Sequence, residues 1–370
     1  MDFALARASA PIRSLPAVET LRTLPDLLRI EADWDRLAWD RGAASDSAYA
    51  NAWSAGLGDS QQLYVLLART QAGRLPRGVA LAPLVAHRGA AGRLTMLAAE
   101  MYEILDFLST DEVALQALVR ALVRTGRPLA LKRIADGPVI KALRAAYRGR
   151  GFVRVQPRGG SPWIPLDETW GNPEMHLESG RRSDLRRARR NAEKLGRVEV
   201  EVIVPTPQHL PQLLAEAFQV EAAGWKGANG TALAADPVRG AFFRRYAEQV
   251  CAAGALRIGT LRIGGRAAAA QIAVEHGGRF DLLRAGYDER FSRCSPGSLL
   301  TAETIRYAAR RGLRAYEFNG DVEPWTHIWT RHEHPSCSVQ VYPFTPRGTA
   351  ALIEDGIAAA RGRIRRRLKK

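Results

Sequence analysis

The order strand, strand, strand, helix, strand occurs twice along these 370 residues, and any fold for the chain must accommodate that duplication. In the first half, Gln62 to Arg69 (QLYVLLAR) and Val79 to His87 (VALAPLVAH) read as strands around a Gly/Pro-rich turn, with a third at Arg93 to Ala98. Apolar residues at Val113, Leu115, Leu118 and Leu122 predict a helix over Asp111 to Arg124, and Pro128 to Ile134 reads as the next strand. In the second half, Ala255 to Ile263, Arg266 to Glu275 and Arg279 to Tyr287 are joined at Gly264-Gly265 and Gly277-Gly278, both strong hairpin dipeptides. A helix from Ser298 to Arg311 stops at Gly312, and Leu313 to Phe318 closes the set. Helical sequence precedes each meander, at Leu27 to Arg41 and at Pro207 to Ala223 and Pro237 to Ala253. The expectation is an α/β (α+β) chain of two mixed sheets flanked by helices, duplicated at a period of about 170 residues.

Gly, Pro and Ser are dense between Pro157 and Pro173, where the boundary is expected. The expected parts are an N-terminal extension (1–16), an N-terminal domain (17–165), a C-terminal domain (174–345) and a helix with a basic tail (346–370). With 46% hydrophobic and 25% charged residues the chain is ordinary globular material, which excludes general disorder. Its net charge of +16 is local: residues 181–197 contribute +6 and residues 361–370 contribute +7, leaving a nearly neutral body. Such a distribution describes two basic devices and not a general polyanion-binding surface. The three cysteines, Cys251, Cys294 and Cys337, are too far apart for a zinc cluster or a disulfide framework. The first 16 residues lack a basic segment followed by an apolar core, and no apolar run approaches the roughly 18 residues that span a bilayer. A reducing, cytoplasmic setting is expected.

Three segments of the second half carry chemistry. Glu221 to Leu233 (EAAGWKGANGTAL) ends a helix at Gly224 and continues into a glycine-rich loop with Trp225 and Lys226, an aromatic face and a cation suited to a ligand; Trp225 packed as a plug at the helix end is the structural alternative. Tyr287 to Leu300 (YDERFSRCSPGSLL) runs from a strand through a basic loop into a helix that opens at Ser295 to Ser298. Free backbone N–H groups there, beside Arg290 and Arg293, suit a pyrophosphate. Phe318 to Trp329 (FNGDVEPWTHIW) places Asp321 and Glu323 at the C-terminal end of the closing strand, where open α/β sheets seat ligands. His327, His332 and His334 have no acid or cysteine spaced to complete a metal set, so no metal is expected.

The succession E-x-x-GWKG-x-x-GTAL (221–233), Gly-Gly-Arg-Ala-Ala-Ala (264–269), AGYDERFSRCSPGSLL (285–300) and EFNGD-x-EPW-x-x-x-W (317–329) resembles the CelD-type acetyltransferases of bacterial cellulose and exopolysaccharide synthesis. These are relatives of the FemAB peptidoglycan aminoacyltransferases, and both are tandem GNAT (acyl-CoA N-acyltransferase) folds. The resemblance is clearest over 176–343, including the basic stretch Ser179 to Leu195, and weaker over 45–165. It implies acetyl-CoA or another acyl-CoA as co-substrate and an amino sugar of an exopolysaccharide or cell-envelope precursor, free or lipid-linked, as acceptor. One departure is plain: Trp325-Thr326 stands where the family pattern has Tyr-Lys, so a cation is missing. The Gln/Arg-x-x-Gly-x-Gly/Ala loop of ordinary acetyltransferases is absent as well.

The implied reaction is direct attack of a neutral amine on the thioester, which needs alignment, proton removal and polarisation of the carbonyl. For the proton the expected acceptors are Asp321 or Glu323, with Glu275 in reserve. Arg290, Arg293, Ser295, Gly297 and Ser298 are expected to hold the coenzyme, and Glu221, Trp225, Lys226, Tyr287, Asp288 and Trp325 the acceptor. Cys294 is expected to pack rather than act as a nucleophile, because no histidine adjoins it. The basic stretch after Ser179 reads as a solvated helix face, or as a site for a phosphate-bearing acceptor or tRNA. The tail RGRIRRRLKK fits an anionic membrane surface or a cyclic dinucleotide. Two alternatives follow: a tRNA-dependent FemAB-like aminoacyltransferase, and a non-catalytic effector of polysaccharide synthesis that binds a nucleotide messenger.

Overall fold

The structure is a computed structural model that describes residues 17–41, 47–72, 75–97, 106–224 and 236–367. Its first half runs β1 (Ala17–Leu21), α1 (Leu24–Arg29), α2 (Glu31–Arg41), α3 (Ser47–Ser54), β2 (Gln61–Leu63), β3 (Val65–Ala72), β4 (Leu75–Ala82), β5 (Leu84–His87), β6 (Leu94–Met96), β7 (Leu108–Ser109), α4 (Glu112–Thr125), β8 (Leu129–Ala135) and α5 (Pro138–Ala146). Then come β9 (Gly151–Pro165), α6 (Ser179–Leu195), β10 (Val198–Ile203), α7 (Leu210–Ala222), α8 (Pro237–Ala252), β11 (Leu256–Ile263), β12 (Arg266–His276), β13 (Arg279–Tyr287), α9 (Pro296–Arg310), β14 (Ala315–Glu317), β15 (Glu333–Pro343) and α10 (Pro346–Arg367).

Local chemistry explains most of these boundaries. Asp111 caps α4 by accepting from the Ala114 N–H at 2.8 Å, and Gly126, at φ 61°, ends it in the left-handed conformation. The hairpins β11–β12 and β12–β13 turn on glycine pairs that all have positive φ, the geometry of a two-residue turn. The helical sequence expected over Leu27 to Arg41 is divided between two helices, α1 and α2. Thr23 and Asp26 form a capping box that starts α1, and the chain breaks at Ile30.

The strands form a four-stranded sheet, β1-β3-β4-β7, and an eleven-stranded sheet, β10-β11-β12-β13-β14-β9-β15-β8-β6-β5-β2. In both halves an antiparallel meander is followed by a helix and a parallel partner, β6 with β8 and β13 with β14. The last strands join the halves. Gly151 to Pro162 of β9 pair with β15, while Trp163 to Pro165 pair with β14, and β15 pairs on its other side with β8. One core is continuous through the first half and onto the α7/α8 face of the second, from Trp34 and Leu81 to Phe242 and Ile272. A second core lies on the opposite face, where Leu185, Ala188 and Ala192 of α6 and Ile305 of α9 cover Leu261 and Ala269. Among the described residues no helix is long and apolar enough to cross a membrane.

Asp355 fastens α10 to the first half. Its carboxylate accepts from Arg93 at 2.9 Å and from the Tyr342 hydroxyl at 2.5 Å. Burial alone raises the Asp355 carboxyl, but those two hydrogen bonds outweigh it and hold the group below the usual carboxylate range. Burial and the same hydrogen bond push Tyr342 up to about 12. A depressed folded-state value means the contact stabilises docking above the unfolded aspartate value of about 3.9 and is lost as pH falls through the lower folded value. Cleavage of the 343–346 junction by an acid-active protease is therefore expected to accelerate below about pH 4. In Asp355→Asn it should already be fast at neutral pH.

Candidate active site

The second-half sheet opens where β13 and β14 part. They pair in parallel only over Arg279 to Asp281 and Ala315 to Glu317, whereas β13 runs on to Tyr287. Its last six residues thus have a strand partner only on the β12 side, and their other edge faces a cleft. Between Ile272↔Arg284 and Ala273↔Leu282 the register slips, so Leu283 is the extra residue of a β-bulge at this edge. A bulge disrupts the ladder and bends the strand, and this one falls just where the β13–β14 pairing ends.

At the far end of β13 the chain turns through a 3₁₀ segment (Glu289–Cys294) into α9. Asp288 starts this turn: its buried carboxylate accepts from the Arg290 N–H at 3.0 Å and pairs with the Arg290 guanidinium at 2.5 Å, which lowers its pKa. Ser295 sits at φ 43°, ψ 51° and makes no side-chain cap, so α9 presents its first turn uncapped. Gly297 lies beside the Tyr287 ring, where a Cβ would be 3.6 Å from it. The segment that carries Arg290, Arg293 and Ser295 therefore leads into an uncapped helix terminus whose first turn includes Gly297 and Ser298. Asn191 of α6 braces the loop by donating to the Arg293 carbonyl at 3.3 Å. Burial raises the Cys294 and Tyr287 pKa values, Tyr287 also through Glu289, so Cys294 packs as a neutral thiol.

On the α7/α8 face of the same strand, Glu221 is buried and pairs with Arg284 at 2.6 Å. Only glycine fits at 286, because a Cβ there would lie 2.7 Å from the Glu221 Cα, so α7 rests directly on β13. A small pocket bounded by Phe218, Glu221, Ile272 and Arg284 opens at this point. Trp225 and Lys226 lie outside the described residues.

Strand register extends this face across the cleft. Val274 pairs with Asp281, Asp281 with Glu317, and Glu317 with Trp163, so these side chains share one side of the sheet with Arg284. Asp281 is buried with Arg279 at 3.2 Å and His276 at 3.5 Å. Glu317, 5% exposed, accepts from His334 Nε2 at 3.1 Å. A carboxylate only accepts, so Nε2 is the donor in this contact, and in the neutral imidazole Nδ1 is then the acceptor. The Trp163 ring stacks on His334 at 4.7 Å, and the imidazole remains 43% exposed. Asn319, at φ 53°, donates to the Leu282 carbonyl at 3.4 Å, just beyond the last β13–β14 pair.

The loop after β14 is held from the first half. Arg133 of β8 is buried, has a left-handed φ of 51°, pairs with Asp321 and donates to the Gly320 carbonyl at 2.6 Å. Glu323 accepts from the Trp325 indole at 2.7 Å, and Trp325, 37% exposed, meets Phe318 edge to face. Thr326 is buried, with its hydroxyl on the Glu323 carbonyl at 2.8 Å. A lysine ammonium at that depth would lose hydration, so the threonine is the residue this turn accommodates. Glu275 stands on the opposite face, with Arg257 at 2.8 Å and Arg311 at 3.0 Å.

Asp321, Glu323 and Trp325 follow β14, and Tyr287 and the helix-opening loop end and follow its parallel neighbour β13, with Glu221 packed on the α7 side of the sheet and Glu275 on the other face. Reading the sequence left out Glu317, His334, Asn319, Arg133, Trp163 and Arg284. Glu317 and Asn319 lie within the quoted EFNGD segment, whereas His334 was weighed only as a metal ligand. Nothing local to the sequence pointed to Arg133.

Residues 179–327 match the family model described as an acetyltransferase (GNAT) domain. No curated protein matches the chain. Among solved structures, FemX is 12% identical over 88% of this chain and 98% of its own, with a TM-score of 0.57. The C-terminal domain of a protein described as a lysylphosphatidylglycerol synthetase, from Agrobacterium fabrum, is 12% identical over 89% of this chain and 96% of its own, with a TM-score of 0.51. A conserved protein of unknown function from Bacteroides thetaiotaomicron VPI-5482 is 13% identical over 88% and 99%, also at 0.51. At such identities the structural likeness speaks for fold alone. The open β13–β14 pair, its bulge and the uncapped helix belong to the matched segment, so the chain is an acyltransferase with a tandem GNAT-like fold, and its residues 179–327 are similar to an acetyltransferase (GNAT) domain.

Proposed function

We propose that the protein transfers an acetyl group from acetyl-CoA to the amine of an amino sugar in an exopolysaccharide or cell-envelope precursor, as the CelD-type resemblance implies. The observation that carries this reading is the parting of β13 from β14 beside the bulge at Leu283, which leaves a strand edge free for the pantetheine arm and a backbone N–H for the thioester oxygen. The uncapped α9 with Arg290 and Arg293 receives the pyrophosphate. His334 Nδ1 accepts the proton as the amine nitrogen bonds to the acyl carbon, and buried Glu317 holds the imidazolium that results. The carbon–sulfur bond then breaks, and the departing thiolate takes the proton from the imidazolium and leaves as the coenzyme thiol, which restores the neutral base. Trp325 offers an exposed aromatic face to a saccharide ring, with Asp321 and Glu323 as acceptors for its hydroxyls.

Release of free coenzyme A thiol tests the reading. With acetyl-CoA, hexosamines and their nucleotide- or lipid-linked forms are expected to accelerate thiol release at least 10-fold over the hydrolytic background, whereas the matching 2-hydroxy sugars should not. Equal rates with amino and hydroxy sugars, or transfer only from aminoacyl-tRNA, would overturn it.

A further inference from the structure

The C-terminal helix α10 carries its apolar side outward. Its inner side is formed by Ala351, fully buried, and by Asp355 with its contacts to Arg93 and Tyr342. On the outside, Leu352 is 51%, Ile353 57% and Ile357 48% exposed. Ile353 and Ile357 are one turn apart, so they form a stripe and not scattered contacts. Every residue from Gly356 to Arg361 is exposed, so this stretch leaves the body of the protein. An isolated helical segment is marginal in water without something to pack on.

The surroundings identify what that is. Phe152 and Phe344, 56% and 72% exposed, stand at the strand ends beneath the start of the helix, Phe152 stacked on Tyr342. Arg148, Arg150 and Arg154 are exposed around Phe152, as are Arg361 and Arg363 on the helix. The last ten residues hold seven Arg or Lys and no acid. Exposed aliphatic and aromatic side chains rimmed by cations match a bilayer interface with anionic headgroups, where apolar groups enter the acyl boundary and arginines meet phosphates. A purely electrostatic polyanion site would have no use for outward isoleucines, whereas apolar side chains beside seven cations and no acid suit an interface of acyl chains and anionic headgroups.

We infer that α10 and its basic extension dock the enzyme on an anionic lipid bilayer, with Ile353 and Ile357 inserted at the interface. The full chain is tested by co-sedimentation with vesicles of phosphatidylcholine, alone or with 30 mol% phosphatidylglycerol (about the anionic content that sustains polybasic docking). Binding is expected only to the mixed vesicles and to weaken with added salt. The double variant Ile353→Asp/Ile357→Asp should bind at least about 10-fold more weakly while keeping wild-type thiol release with a soluble acceptor. Three results would each overturn the inference: no binding to the mixed vesicles, equal binding by the double variant, or a self-associated chain in light scattering that the double variant converts to monomer without any vesicle binding.

Discussion

His334→Ala is expected to lower kcat for acyl transfer by about 100-fold or more, the usual contribution of a positioned general base, with little change in KM for acetyl-CoA. The imidazole is 43% exposed and its contacts are with Glu317 and Trp163, so coenzyme affinity is expected to hold, and because Glu317 loses its partner the rate is taken per folded molecule. Glu317→Gln keeps the shape but removes the charge that steadies the imidazolium, and should fall between His334→Ala and the wild type. Stopped-flow turnover at saturating acetyl-CoA separates the two steps. A normal kcat in His334→Ala together with a collapsed kcat in Asp321→Ala would move the proton acceptor to the loop after β14.

Glu275→Ala has the other large expected effect, and it is on stability. Arg257 and Glu275 are 7% and 10% exposed and lie 2.8 Å apart, so deleting the carboxylate strands a guanidinium inside the protein. Breaking such a pair costs about 3 kcal/mol. Arg257 retains the carbonyls of Gly254 and Leu256 at 2.8 Å, which keeps the loss toward the lower end of that range. Urea unfolding should show the loss as a lower midpoint at unchanged slope, with turnover per folded molecule preserved. A variant of wild-type stability that had lost turnover would instead place Glu275 in the chemistry.

The legibility of this molecule divides by sequence distance. The Gly-Gly hairpins, the amphipathic α4 with Asp111 and Gly126 at its ends, and the loop from Tyr287 into α9 are encoded by neighbours in the chain, and all could be read there. Strand β9 could not. Its Pro157, Gly159, Gly160 and Pro162 have the composition of a linker, and its pairing comes from β15, as in Val153↔Val341, just over half the chain away. His334 and Glu317 meet only because β14, β9 and β15 lie side by side, so the dyad was invisible until that order was known. The same holds for Arg133, whose partner Asp321 belongs to the other half. The alternating VEVEVI of β10 is different, since its period was present in the sequence and was passed over.

The central claim is that acyl-CoA lies between β13 and β14 with its pyrophosphate on the first turn of α9. Calorimetric titration of acetyl-CoA into the wild type and Gly297→Val tests it most directly. One site per chain is expected, with a Kd in the micromolar range common for such co-substrates. Affinity should fall at least about 10-fold when the valine fills the space beside Tyr287. Absence of binding to the wild type, or equal affinity in both proteins, would contradict the account.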